Sequence, residues 1–196
     1  MQQGRPRTGK RLPRLYLITG KTPSEAAWWQ SFERLLEIPG ALIQLRLHPE
    51  TQPPPERWLA AAVERCRARG RPVVVNGEPG VARAVGADGV HLNSRRLLEC
   101  NKRPLPANRW VGASCHDAEE LRQAEAIGAD FVCLSPLFPT ASHPGRPALG
   151  LDRFGALARD CRLPVFALGG VGQEDLEAVT GAGGHGIAGI TAFWGA

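Results

Sequence analysis

Two residues with acid–base or hydrogen-bonding chemistry end the strand-like segment GASCH. His116 is the best general acid–base candidate in the chain, because the ordinary pKa of histidine, about 6.5, allows proton exchange near neutral pH. Ser114 adds a hydroxyl group on the same strand end. We predict His116 and Ser114 as catalytic residues. The alternative is that His116 only starts a helix beside Asp117, which is predicted to cap that helix.

Polar side chains also alternate in the segment IQLRLH, where Gln44, Arg46 and His48 share one strand face by the period of two. Three inward polar groups predict hydrogen bonding and charge for a heterocycle or a phosphate. A buried polar network or a strand-end ion pair is the alternative. Asn76 and His91, at or near the ends of two later strands, are predicted to bind substrate with them.

An anion site is predicted near the carboxyl terminus of the chain. Gly169 and Gly170 follow one apolar run, and Ile190 and Thr191 end another. Glycine lets backbone N–H groups approach an anion, and the start of a helix adds a favourable dipole. We predict that these four residues bind a phosphate group.

A loop over residues 139–150 reads PTASHPGRPALG and is rich in small residues and proline. It is predicted to be a lid that brings Thr140, Ser142 and His143 to the substrate. An ordinary surface loop is the alternative.

The elements that position these residues alternate between strand-like and helix-like segments. Continuous apolar runs predict eight strands buried on both faces: residues 15–19, 41–47, 72–76, 89–92, 111–115, 131–137, 164–168 and 186–191. Helical patterns fall between them: residues 23–38, 55–69, 79–85, 95–100, 117–127, 151–161 and 173–180. Eight such units predict a (β/α)₈ barrel of the TIM type, with active-site residues at the carboxyl ends of its strands.

The first and last helices carry particular predictions. Thr22 is predicted to cap the first helix, with Pro23 at its first position and Glu25 three residues after the cap. Few residues follow Thr191, so the eighth helix is predicted to be truncated or missing. Trp194 is predicted to cover the apolar barrel surface that this leaves.

Composition indicates one globular domain, since hydrophobic residues make up 43% and charged residues 22% of 196. We assign residues 1–13 to a basic tail or linker and 14–196 to the barrel. The tail lacks the aromatic residues of a nucleic-acid arm. Without a signal peptide or an apolar run near membrane-spanning length, we expect a cytoplasmic protein without membrane contact. Five cysteines without a CxxC motif predict reduced thiols.

Taken together, these segments resemble the thiamine-phosphate synthase/TenI family of TIM barrels. The resemblance covers residues 15–194 and rests on LYLIT, QLR, VVVNG, AVGADGVHL, GASCH, GADFVCLSPLFPT, ALGL and ALGGV. It implies that Gln44 and Arg46 face a pyrimidine and diphosphate, that Thr140 and Ser142 meet a thiazole phosphate, and that His116 transfers protons in the TenI branch. The glycine and Ile190–Thr191 positions match the family's phosphate cradle.

The metal positions of this family differ in this chain. The resemblance implies an aspartate after Asn76 and another after the fourth strand, where the chain has Gly77 and Arg96. A Mg²⁺–diphosphate centre needs carboxylate oxygens, so we expect no metal site unless Glu78 or Asp117 substitutes. Other departures replace two family lysines by His48 and His143.

Three functions follow from the resemblance. The first is TenI-like tautomerisation of a thiazole phosphate, which needs no cofactor. The second is a diverged synthase that couples an aminopyrimidine diphosphate to a thiazole phosphate with Mg²⁺. The third is a non-catalytic module that binds a thiazole or thiamine phosphate. The expected partners are that small molecule and either a second copy of the chain or a fused or associated Nudix hydrolase domain.

Overall fold

The computed structural model describes residues 11–46, 56–140 and 147–194. Eight parallel strands pair in chain order and close into a barrel through β1 and β8. They are β1 (Leu15–Ile18), β2 (Ala41–Arg46), β3 (Val73–Asn76), β4 (Gly89–Leu92), β5 (Trp110–Cys115), β6 (Phe131–Leu134), β7 (Val165–Leu168) and β8 (Gly186–Gly189). This confirms the predicted (β/α)₈ barrel.

The connecting helices surround the sheet. They are α1 (Glu25–Glu37), α2 (Glu56–Ala68), α3 (Pro79–Ala84), α4 (Ser94–Glu99), α5 (Ala118–Ala126), α6 (Gly150–Asp160), α7 (Leu176–Gly181) and α8 (Thr191–Trp194). A 3₁₀ turn, Gln173–Asp175, precedes α7. Helices α3 and α4 are short, as predicted.

The barrel interior changes character along its axis. Tyr16, Phe131 and Phe166 pack there with ring centroids 5.4, 5.5 and 5.7 Å apart, because alternate strand residues point inward. The remaining strand positions, such as Leu17, pack in the larger core between sheet and helices. Polar inward side chains lie toward the carboxyl ends of several strands, among them Gln44. The barrel interior is therefore apolar in its centre and polar toward the carboxyl ends of the strands.

The predicted cap of α1 is wrong. Ser24 caps this helix, since its Oγ accepts the N–H of Ala27 at 3.2 Å. The Thr22 hydroxyl instead donates to the Ser24 carbonyl at 3.0 Å. Pro23 thus lies before the helix. Ser24 rather than Thr22 is the cap because it directly precedes the first helical residue.

Strands β6 and β8 end two or three residues earlier than predicted. Strand β6 stops at Leu134, two residues before Pro136, which has no N–H to continue a ladder. Strand β8 stops at Gly189, and Thr191 begins α8. The eighth helix is therefore truncated to one turn rather than missing.

Trp194 covers the apolar surface at α8, as predicted. It is 3% exposed and its ring lies 5.5 Å from that of Trp28. Its Nε1 donates to the Lys21 carbonyl at 3.3 Å. A Cβ on Gly20 would lie 2.6 Å from Trp194 Cδ1, so this packing requires glycine there.

The other chain-wide expectations concern thiols and membranes. All five cysteines are free thiols, and Cys100 alone among them is not fully buried. Burial raises the pKa of the Cys66 thiol to about 12, which makes it a poor nucleophile. Among the described residues, no helix has the length and apolar character that crossing a bilayer requires.

Candidate functional site

Four predicted site residues join one chain of hydrogen bonds at the carboxyl end of the barrel. Asn76 Nδ2 donates to Gln44 Oε1 at 3.0 Å, and Gln44 Nε2 donates to Tyr16 Oη at 2.6 Å. Tyr16 Oη lies 3.1 Å from His91 Nδ1, and His91 Nε2 lies 2.9 Å from Ser114 Oγ. We call these five residues the polar array. For Gln44 the alternative of a buried polar network holds.

Burial divides the polar array into an interior and two ends. Tyr16, Gln44 and His91 are 0%, 2% and 1% exposed, whereas Asn76 and Ser114 are half-buried. Tyr16 escaped the sequence analysis. Its position in LYLIT, inward by strand alternation, was the available signal.

His91 is held as a neutral imidazole. Burial and, to a smaller extent, the nearby charge of Arg46 together lower its pKa to about 3. A neutral, buried imidazole donates through one nitrogen and accepts through the other. His91 therefore links its neighbours and does not act as a cation.

Arg46 supplies a positive charge at the end of β2. Its backbone N–H donates to Thr19 Oγ1 at 2.8 Å, and the Thr19 hydroxyl lies 3.3 Å from the Arg46 carbonyl oxygen. Burial lowers the pKa of the guanidinium group. This cation ends β2 beside the array. His48, predicted to share its face, lies outside the described residues.

His116 is paired with a carboxylate that the sequence analysis missed. Glu120 Oε2 accepts from His116 Nδ1 at 2.9 Å and from the His116 backbone N–H at 2.7 Å. The Ser94 hydroxyl donates to the other oxygen, Oε1. Because Nδ1–H donates to Glu120, Nε2 is the unprotonated nitrogen of the neutral ring. The spacing of four residues between His116 and Glu120 was the available signal.

The helix start beside His116 is also as predicted. Asp117 Oδ1 caps α5 by accepting the N–H groups of Glu119 and Glu120, each at 2.9 Å. The cap orients the first turn of α5, and that turn carries Glu120 to His116. The two roles considered for His116 are thus compatible.

The predicted phosphate cradle follows β7 and β8. Gly169 and Gly170 have φ of +95° and +70°, a region that favours glycine. A Cβ on Gly170 would lie 2.8 Å from Phe138 Cβ and 2.9 Å from the Pro139 carbonyl oxygen. Thr191 is exposed at the start of α8, next to half-buried Ile190. Because a Cβ would not fit at Gly170, the predicted cradle would present main chain at this position.

The helix that follows Gly169 and Gly170 contributes a weaker dipole to anion binding than predicted. A three-residue 3₁₀ turn and a six-residue helix replace the single helix expected from residue 173. Asp175 Oδ2 accepts the N–H of Gly172 at 2.9 Å, so a side chain already uses one donor of this turn. Short helical elements align few peptide dipoles, so the favourable charge at their start is small.

Only part of the predicted lid can be placed. Thr140 is half-buried, while Ser142 and His143 lie outside the described residues. The loop returns to the barrel through Leu149 N–H to the Pro136 carbonyl and Gly150 N–H to the Leu137 carbonyl, each at 2.9 Å. Its carboxyl-terminal end is therefore fixed beside the cradle.

The carboxyl ends of β3 and β4 do not provide a magnesium site. Glu78 Oε1 accepts from Arg96 Nε at 2.8 Å, and the Asn76 amide is bonded to Gln44. Asp117, the other possible substitute, caps α5. Over residues 11–46, 56–140 and 147–194, no group of three or more histidine, cysteine or acidic side chains could hold a metal ion. The described residues at these strand ends do not fit a Mg²⁺–diphosphate centre.

Comparisons with known proteins agree with this architecture. Residues 15–193 match the family model for thiamine monophosphate synthase. A putative thiamine-phosphate synthase 2 of Aquifex aeolicus is 33% identical, covering 93% of this chain and 98% of its own. A thiamine biosynthesis bifunctional protein of Symbiobacterium thermophilum is 36% identical, and the match covers 97% of this chain but 39% of that protein.

Solved structures show the same barrel. The thiamine phosphate pyrophosphorylase of Pyrococcus furiosus superposes with a TM-score of 0.71 at 28% identity, covering 93% of this chain and 88% of that one. A 3-hexulose-6-phosphate synthase reaches a TM-score of 0.70 at 20% identity, covering 93% and 92%, which shows the fold alone.

Proposed function

The chain belongs to the thiamine monophosphate synthase family, and from that premise we propose that it acts on a thiazole phosphate by proton transfer. The observation that carries this proposal is the His116–Glu120 pair, 2.9 Å apart, at the same strand end as Ser114. A histidine oriented by a carboxylate is a general acid–base arrangement that needs no metal.

In such a reaction, different residues would bind the phosphate, transfer the proton and orient the transferring group. The main chain at Gly169, Gly170 and Thr191 would bind the phosphate and hold the thiazole ring over β5. His116 Nε2 would take a proton from one ring position and return it to another. The Glu120 carboxylate would hold Nδ1–H and stabilise the imidazolium formed in between.

The coupling of an aminopyrimidine diphosphate to a thiazole phosphate is the second candidate. The names of the relatives favour it over proton transfer, since the Aquifex protein is named a putative thiamine-phosphate synthase and the Pyrococcus protein a thiamine phosphate pyrophosphorylase. Arg46 and Arg96 would offer cations for a diphosphate. The Glu78–Arg96 ion pair favours proton transfer instead, because it lies where the metal centre of a coupling enzyme needs carboxylates.

Replacement of His116 by Asn tests the first candidate. We expect H116N to lower tautomerase turnover of a carboxythiazole phosphate by about 10²–10⁴-fold, the usual contribution of general acid–base catalysis. Calorimetric binding of the same ligand should stay unchanged, because the cradle does not involve this side chain. Unchanged turnover would rule out the assigned role of His116.

The second candidate is tested with the unaltered protein. Pyrophosphate release from the two substrates, measured with Mg²⁺ and with a chelator, would establish coupling and its metal requirement. Ligand binding without either reaction would contradict both candidates and would support the binding-only module.

A further inference from the structure

The direction of each hydrogen bond in the polar array follows from counting hydrogens. Tyr16 Oη accepts from Gln44 Nε2, and its single hydrogen is then directed to His91 Nδ1. A neutral His91 that accepts at Nδ1 carries its proton on Nε2, which donates to Ser114 Oγ at 2.9 Å. Ser114 accepts from the array and keeps its own hydrogen for another partner.

The same five residues can also satisfy one another with every hydrogen bond reversed. In that case Ser114 would donate to His91, and both amide groups would be turned over. The charge of Arg46 distinguishes the two directions. Arg46 on β2 is the register partner of Asn76, so an arginine residue flanks that end of the array. It favours the direction whose negative end is Asn76 and whose positive end is Ser114.

The polar array does not conduct protons. A proton passing along it would leave Tyr16 or His91 charged, and burial raises the pKa of Tyr16 and lowers that of His91. Beyond Tyr16 the next group is the Gln44 amide, which does not give up a proton. The array is therefore an orienting device made of neutral groups.

We propose that Tyr16 and His91 are positioning residues that fix the Ser114 hydroxyl as a hydrogen-bond donor to the substrate. Ser114 then selects an anionic oxygen, such as the carboxylate of a carboxythiazole phosphate, at the end of β5. This inference rests on the proposed function, because it assumes that the thiazole ring lies beside Ser114 and His116. A donor at this point also stabilises negative charge that develops on the oxygen when His116 removes a proton.

The orientation is tested first in the unaltered protein. Long-range ¹H–¹⁵N spectra of the imidazole groups, with the His91 signals identified by their loss in His91→Gln, report which nitrogen carries the proton. We expect the Nε2–H form between pH 5 and 8. An Nδ1–H form would overturn the proposal without touching the proposed function.

The selection is tested with two ligands that differ in one group, carboxythiazole phosphate and the same thiazole phosphate without its carboxylate. Since a hydrogen bond to a charged group contributes about 1.5–3 kcal/mol, the carboxylated ligand should bind at least roughly tenfold more tightly. Ser114→Ala should abolish that preference, and Tyr16→Phe should reduce it by about threefold. Ser31→Ala removes a hydroxyl buried in α1 and should leave the preference intact.

The outcomes separate the two proposals. A preference that survives in both Ser114→Ala and Tyr16→Phe would overturn the role of the array while the ligand still binds. Failure of both ligands to bind, with the Nε2–H form present, would contradict the proposed function and with it the selection by Ser114.

Discussion

The two sides of the barrel's carboxyl-terminal end differ in what they expose, main chain on one side and side chains on the other. On the β7–β8 side, Gly169 and Gly170 present main chain in a conformation that only glycine adopts easily. On the β3–β4 side, the surface is formed by side chains, with Glu78 and Arg96 paired at 2.8 Å. The first side carries the predicted phosphate cradle, and the second has an ion pair where the resemblance implied a metal site.

This difference has a physical reason. A main-chain site depends on φ and on space, so it tolerates changes in neighbouring side chains but no added Cβ. A side-chain site changes its chemistry with a single substitution, since one arginine in place of a carboxylate reverses the local charge. We therefore expect the main-chain side to bind an anion even where the side-chain side no longer suits a cation.

The largest effect is expected from an added methyl group in the cradle. Gly170→Ala should lower the free energy of unfolding by about 2–5 kcal/mol, because a left-handed residue costs about 1–2 and overpacking about 1–3 kcal/mol. Urea denaturation measures the loss, and calorimetry should show weaker binding of thiamine phosphate.

Gly40→Ala is the matched control for this change. Gly40 has φ of +65°, but a Cβ there would meet nothing within 4 Å. It should lose only about 1–2 kcal/mol and bind thiamine phosphate normally. Equal losses in the two variants would show that space around Gly170 is unimportant.

A smaller effect is expected from acid on the buried side of β4. The pKa of His91 is about 3 in the folded protein, below the ordinary 6.5, so the unfolded chain takes up a proton that the folded protein does not. This contribution is complete above pH 6.5 and is lost as the pH falls toward 3, by about 1.4 kcal/mol per unit. The free energy of unfolding, measured with urea, should be about 2 kcal/mol lower at pH 5 than at pH 7.5 because of His91.

His91→Gln should flatten this pH dependence. Burial also lowers the pKa of His185, so part of the dependence should remain. A variant with the same slope as the unaltered protein would show that folding does not lower the pKa of His91.

The smallest change in stability is expected on the β3–β4 side. Arg96→Asp removes a largely solvated ion pair, between half-buried Arg96 and exposed Glu78, of the kind that contributes about 0–1 kcal/mol, yet it should create affinity for Mg²⁺ or Mn²⁺ beside Glu78. Manganese paramagnetic resonance measures that binding. Arg95→Asp, which removes the exposed pair with Glu99, is the control and should bind no more metal than the unaltered protein. Metal binding by the unaltered protein at these residues would contradict the loss of the site.

Local signals predicted most elements of the fold. Asp117 was identified as a cap because a capping residue acts on the next few N–H groups. The same kind of reasoning failed at Thr22, since Ser24 is an equally good cap closer to the helix. Strand β6 ended early at Leu134, two residues before Pro136, whose missing N–H opposes the apolar propensity of this segment.

The candidate site was predicted less completely. His116, Ser114 and His91 were named from their positions at or near the ends of strands, but their partners were not. Glu120 belongs to a helix and Tyr16 to a strand 75 residues from His91. Contacts of this kind depend on which elements become neighbours.

By itself the sequence determined the alternation of strands and helices and the glycines after β7, and it predicted a phosphate cradle there, because each of these depends on residues close in the chain. Only the tertiary structure decided that Glu120 orients His116 and that Tyr16 links Gln44 to His91. Closing the sheet brings β1, β2 and β4 around one interior, and burial there makes hydrogen bonding among their polar groups obligatory.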